Sequence, residues 1–175
     1  MSGSHNRDSS RPPLIQYVGA DVVGLIFSWT PAVFAWGSAI FFALKMWRAE
    51  QQWALIFVPV VASLSLILCL LVFRICLPKL RRGVYPVSLN RMVVSWWCQV
   101  AMGRALDVSG LRAFIFSSPL MKFLFFRAMG AKFKYRAQTS LNTDFVDYPL
   151  IEISEGVTIG EGTLISCHSM IGDKI

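Results

Sequence analysis

The chain has 175 residues, 55% of them hydrophobic and only 15% charged, and a formal net charge of +7 at pH 7. That balance lies outside the range of ordinary soluble domains and points to a membrane. The excess of Lys and Arg sits beside apolar runs, where anionic lipid headgroups account for it, so a nucleic-acid partner is set aside. The four cysteines, Cys69, Cys76, Cys98 and Cys167, keep no metal or disulfide spacing and fit a reduced, cytosol-facing protein.

The polar, Ser-rich start closes on Pro12-Pro13 and reads as a disordered tail, drawn to residue 18. A secretory signal is disfavoured because the next apolar segment is too long for one. That segment, Val22 to Leu44, is about 23 residues long and of spanning length. Pro31 is expected to kink it, with Ser28 and Thr30 near enough to satisfy the carbonyl that the proline frees. Asp21 reads as an interfacial carboxylate near a helix N-terminus rather than a proton relay. After a polar link containing Lys45 and Arg48, a second apolar run from Trp53 to Phe73 completes a transmembrane hairpin over residues 19–76. Arg7 and Arg11 before the hairpin, and Arg74, Lys79, Arg81 and Arg82 after it, outweigh the link, so both termini are expected in the cytoplasm.

Residues 77–135 read as interfacial helices and linker. Val93, Trp96, Trp97, Val100 and Ala101 follow helical spacing, with Arg91, Ser95 and Gln99 on the other stripe. Such a helix lies in the headgroup layer or packs on a protein core, and the stripe alone leaves both open. A second short helix is expected from Ser118 as N-cap and Pro119 as first helical residue to Gly130. At about 11 residues it cannot span, and Lys122 and Arg127 are expected to snorkel to headgroups. Tyr85-Pro86 and Ser118-Pro119 read as turn and helix-start chemistry.

Residues 136–175 carry a period of six. Phe145 to Ile151 form an irregular lead-in, after which Ile153, Ile159, Ile165 and Ile171 recur, with Val157, Thr163, Ser169 and Ile175 in the fourth place after each. This period suits a parallel β-helix in which each hexapeptide is one flat side, the isoleucine points to the axis and three sides close a triangle. Gly156, Gly160, Gly162 and Gly172 fall at or beside corners. Ile159 and Ile165 are expected buried on the axis. One circuit does not bury its own apolar side, so the reading is of the front part of a longer protein.

Taken in order, the hairpin, Arg81-Arg82-Gly83-Val84-Tyr85-Pro86, Trp96-Trp97, Ser118-Pro119, Arg127-Ala128-Met129-Gly130-Ala131-Lys132 and Ile151-Glu152-Ile153-Ser154-Glu155-Gly156-Val157-Thr158-Ile159-Gly160 resemble a known module. It is the membrane-bound left-handed β-helix of the hexapeptide acyltransferase superfamily, and the order is similar to the terminal membrane region of ε-poly-lysine-synthetase-type peptide synthetases. The adenylation and carrier domains that such synthetases place in front are not in this sequence. The implied fold class is membrane α + β: a transmembrane helical hairpin, interfacial amphipathic helices and the start of a left-handed parallel β-helix. The implied function is transfer of an acyl or aminoacyl group in the cytosol, with acyl-CoA or an acyl or aminoacyl carrier protein as donor, the bilayer as partner and a homo-oligomer through the β-helix. The second reading is a non-catalytic membrane anchor or scaffold module of a larger synthetase.

His168 is the histidine of the repeat region, and the resemblance makes it the catalytic candidate, a general base on the acceptor hydroxyl or amine. It stands third after Ile165, off the inward position. A zinc site is set aside because it needs several histidines. Cys167 reads as a small residue packed in a coil, and Ser154, Ser166 and Ser169 as turn or stacking residues without a base.

Overall fold

The structure is a computed structural model that describes residues 14–86 and 90–169. The polar tail of residues 1–13, and Ile171, Gly172 and Ile175, lie outside the described residues. Helix α1 (Leu14–Arg48) starts inside the segment assigned to the tail and continues through Pro31. Ser28 Oγ donates back to the Gly24 carbonyl at 2.8 Å and to Leu25 at 3.3 Å. Pro31 frees the carbonyl of Phe27 instead, so Ser28 does not perform the expected rescue; a helical serine turns to its own preceding turn. Asp21 is exposed and already inside α1, not at its N-terminus.

The second apolar run is not one α-helix. Gln52–Phe57 form a 3₁₀ turn and α2 (Val58–Cys76) follows. Pro59 at the second position of α2 has no N–H to offer Leu55, so the α-helix restarts there. The segments Asp21–Arg48 and Gln52–Cys76 are both long and apolar enough to cross a membrane. Phe27 meets Phe73 edge to face at 5.1 Å, which sets the end of α2 level with the lower part of α1. The buried side is small-residued, with Ala35, Ala39 and Ala62 fully enclosed, while Val33, Phe41, Leu64, Leu68 and Ile75 stand exposed. Soluble monomers seldom leave so much apolar surface open.

Helix α3 (Arg91–Val108) is held at its start by Asn90, whose side chain accepts from Met92 N and Val93 N. It packs along α1, and Trp36 Nε1 donates to the Ser109 carbonyl at its far end (2.9 Å). The helix thus has a protein surface, α1, along its length. Of the polar stripe only Arg91 is exposed: Ser95 and Gln99 are buried, as are Val93 and Ala101 of the apolar one. Ser95 Oγ donates to Pro78 O at 2.7 Å, and Gln99 Nε2 reaches both Ser95 Oγ and Pro78 O. These bonds tie α3 to the chain leaving α2.

Helix α4 (Arg112–Ser117) leads to α5 (Pro119–Met129), which has the expected Ser118 N-cap, Pro119 start and Gly130 stop. Gly130 is left-handed at φ +92°, and a Cβ there would overlap the Arg74 guanidinium. Lys122 does not snorkel. It is buried, with Nζ 3.4 Å from the Thr139 carbonyl, because α5 turns that face toward the strands.

The strands are β1 (Lys132–Phe133), β2 (Gln138–Thr139), β3 (Asp144–Phe145), β4 (Glu152–Ile153), β5 (Thr158–Ile159) and β6 (Leu164–Ile165). They make three two-stranded parallel sheets, β1 with β4, β2 with β5 and β3 with β6, each partner twenty residues on. Two circuits are therefore stacked, and the first starts at Lys132, ahead of residue 136 and of the irregular lead-in read from sequence. Its inward residues are Phe133, Thr139 and Phe145. Gly156 and Gly162 turn corners at φ +78° and +73°, as expected, whereas Gly160 does not take a positive φ. Phe126 of α5 stacks on Phe133 at 4.4 Å and meets Phe145 edge-on at 4.8 Å, closing the first circuit from below. Ile153 is buried, but Ile159 and Ile165 are only half-buried, since no described residue covers the second circuit.

Candidate functional site

The first circuit meets the second through an irregular joint. Phe145 and Ile153 are eight residues apart instead of six, and the surplus is taken up by Asp147 and a 3₁₀ turn, Tyr148–Leu150. Asp147 holds a left-handed backbone (φ +65°), which aspartate tolerates better than most residues. Tyr148 beside it is buried against Phe125 and Phe126, and burial pushes its hydroxyl well above the usual tyrosine range. Gly103 leaves room for this ring: a Cβ there would come to 3.0 Å from it.

With its neighbour so anchored, the Asp147 carboxylate is fully buried and gathers three donors. Trp96 Nε1 donates to Oδ1 at 2.5 Å, the Cys167 N–H to Oδ2 at 3.0 Å, and His168 Nδ1 lies 2.6 Å from Oδ2. The Trp96 indole also meets the His168 ring edge to face at 4.9 Å. His168 is 27% exposed while the carboxylate behind it is 0% exposed. Nδ1 is thus taken, and Nε2 on the opposite edge of the ring has no protein partner among the described residues. An imidazole in this state has a lone pair available on Nε2 for a proton.

A cavity of about 410 Å³ opens here between the loop Leu80–Tyr85, the first turns of α3 (Met92, Val93, Trp96), the joint (Asp147, Leu150) and Cys167–Ser169. Its walls are mostly apolar, with Arg81 and Arg82 on the loop side. Cys167 is exposed at this wall, not packed in a coil. Its thiol is pushed up by burial of the sulfur and by Asp147, against a smaller opposing pull from Arg82, so it is a poor thiolate. Ser166 Oγ lies 3.1 Å from His168 Nδ1, a contact not expected from sequence, but Nδ1 is already engaged by Asp147. Tyr85 lines the cavity as well as turning the chain, and its hydroxyl donates to Arg81 O at 3.2 Å. Ser169 also lines the cavity. Ser154 is exposed on the second circuit and is not among the cavity residues. Among the described residues no three His, Cys, Asp or Glu side chains converge as a metal site.

Asp147 and Trp96 are the contacts of His168 that sequence reasoning passed over, and Arg81 and Arg82 line the same cavity. One signal points to Asp147. With a circuit of twenty residues it lies directly under Cys167, one place from His168. Compared with protein-family models, with curated proteins and with solved structures, the chain matches none.

Proposed function

We propose that the chain is a membrane-anchored acyl or aminoacyl transferase module of the hexapeptide-repeat superfamily, its strands the start of a left-handed β-helix and His168 its general base. The observation that carries the reading is the His168–Asp147 pair at a cavity wall, with Nδ1 anchored on a buried carboxylate and Nε2 without a partner among the described residues. In the proposed reaction the acceptor's O–H or N–H bond breaks as its oxygen or nitrogen adds to the donor carbonyl carbon, and the proton passes to Nε2. Collapse then breaks the bond from that carbon to the leaving sulfur or oxygen, which takes the proton back from Nε2. Asp147 is a positioning residue that fixes the tautomer and steadies the transient imidazolium. An acyl-CoA or an acyl or aminoacyl carrier protein supplies the donor, both termini lie in the cytoplasm, and the exposed second circuit is where copies associate.

Transfer of a labelled acyl group from a thioester to an amine or alcohol, measured with the complete protein in membranes, tests this. His168→Ala should lower turnover about a hundredfold or more. Asp147→Asn should lower it less and move the pH profile. Near-normal turnover in the His168→Ala protein would remove the base from the mechanism. The anchor reading draws on one observation, the half-buried Ile159 and Ile165 with Leu164 65% exposed, and it gains if the wild-type protein transfers nothing from any thioester.

A further inference from the structure

This inference rests on the transferase reading and names the substrate class of its site. We propose that the cavity holds an acid-bearing amphiphile drawn from the bilayer, its phosphate or carboxylate on Arg81 and Arg82 and its chain against Leu80, Val84, Met92 and Val93. Charge is the first argument. Among the described residues Asp147 is the one carboxylate in the wall, and its two oxygens are occupied by Trp96, Cys167 and His168. Among the described residues neither Arg81 nor Arg82 has a carboxylate partner. Two guanidinium groups without a carboxylate among the described residues, in a concave, mostly apolar wall, suit an anion held by forked hydrogen bonds.

The apolar lining is the second argument. A small soluble acid would leave Leu80, Val84 and Met92 uncovered, whereas an alkyl chain attached to the acid buries them. Place is the third. The arginines follow within a few residues of Cys76, the end of α2. Ile75 on its last turn and Val84 at the cavity wall are 71% and 74% exposed, so apolar surface stands open at both the hairpin's end and the cavity. A volume of about 410 Å³ is near the lower end for ligand sites. It takes a headgroup and the first part of a chain, the remainder staying in lipid. A hydroxyl or amine on that headgroup then lies within reach of His168, which makes the amphiphile the acceptor.

The test is binding, read by native mass spectrometry of the full chain released from neutral detergent, with dioleoylphosphatidylglycerol, dioleoylglycerol and inorganic phosphate as probes. The acidic lipid should be retained at least about tenfold more tightly than the neutral one. Arg81→Gln with Arg82→Gln should erase that preference. Lys79→Gln, an exposed charge of the same loop that does not line the cavity, should keep it. Met92→Trp, which fills the cavity and leaves both arginines, should also lose the lipid. Equal retention of the two lipids, or equal losses in the Lys79 and arginine variants, would overturn the proposal in favour of diffuse headgroup attraction. Displacement of the lipid by millimolar inorganic phosphate would overturn it in favour of a free-phosphate site. A chain that binds the acidic lipid and never transfers retires the transferase reading alone, and one that transfers with no preference for the acid retires this one alone.

Discussion

The two stacked circuits use the same backbone register and opposite side-chain chemistry. In the first, Phe133, Thr139 and Phe145 point inward; in the second, Ile153, Ile159 and Ile165 do. The first is covered below by α5, whose Phe126 stacks on Phe133 and whose Lys122 reaches Thr139. Among the described residues, the far side of the second has no cover. Flat rings suit a floor made by a helix, where aromatic faces and edges fill an uneven gap. Isoleucine suits a floor made by another circuit, where the spacing is uniform. What a strand buries is therefore set by the element stacked on it, and isoleucine recurs every six residues only where circuit meets circuit.

The largest expected effect breaks the helix floor. Phe126 is fully buried and touches Phe116, Phe125, Phe133, Phe145 and Tyr148. Phe126→Ala should cost about 3–5 kcal/mol, the range for truncating a buried aromatic, seen as a large fall in unfolding temperature in neutral detergent. The seam between circuits comes next. Asp147→Ala removes acceptors from Trp96, Cys167 and His168 and should cost about 2–3 kcal/mol. Asp147→Gly loses the same bonds but relaxes the left-handed backbone, recovering about 1 kcal/mol. Equal stability of the two variants would mean that the backbone at 147 is unstrained. Third is the uncovered circuit: Ile159, half-buried, should lose only about 1–2 kcal/mol on change to Ala. A loss as large as that of Phe126→Ala would erase the contrast between the circuits.

The same contrast explains what could be read in advance. Both apolar segments, the Ser118–Gly130 helix with its caps, and the second circuit were legible because local rules govern them: length, cap chemistry, a period of six. The first circuit was not, because Phe and Thr replace Ile on its axis and the Asp147–Leu150 insertion breaks the phase. The hidden phase also concealed the site. His168 could be singled out by residue type and by the resemblance, but its partner Asp147 becomes visible only once the circuit is known to be twenty residues long. Trp96 escaped for another reason. A Trp pair on a helical stripe reads as a membrane anchor, and nothing local says that one indole turns to a carboxylate 51 residues on. Ser95 and Gln99 were misassigned likewise, since their acceptor, Pro78 O, belongs to a loop with no pattern.

The smallest effect concerns the other cover of the first circuit, the lysine that was expected at the headgroups. Lys122 is buried, its amine has a long bond to Thr139 O, and burial holds its pKa below the usual lysine value. In that case the unfolded chain binds the proton more readily than the folded one at any pH between the two pKa values. Folding must then gain stability as pH rises toward about 10.4, the value of a free lysine. Lys122→Met keeps the length of the side chain and removes the charge, so it should be neutral or stabilising by up to about 1 kcal/mol near neutral pH. The measurement is the difference in unfolding temperature between wild type and variant across pH 7 to about 10. The variant's advantage should shrink as pH rises, because the wild type alone gains from deprotonation of this amine. A difference that stays flat or widens would place the charge in solvent or at headgroups, and the first circuit would then be covered by Phe126 alone.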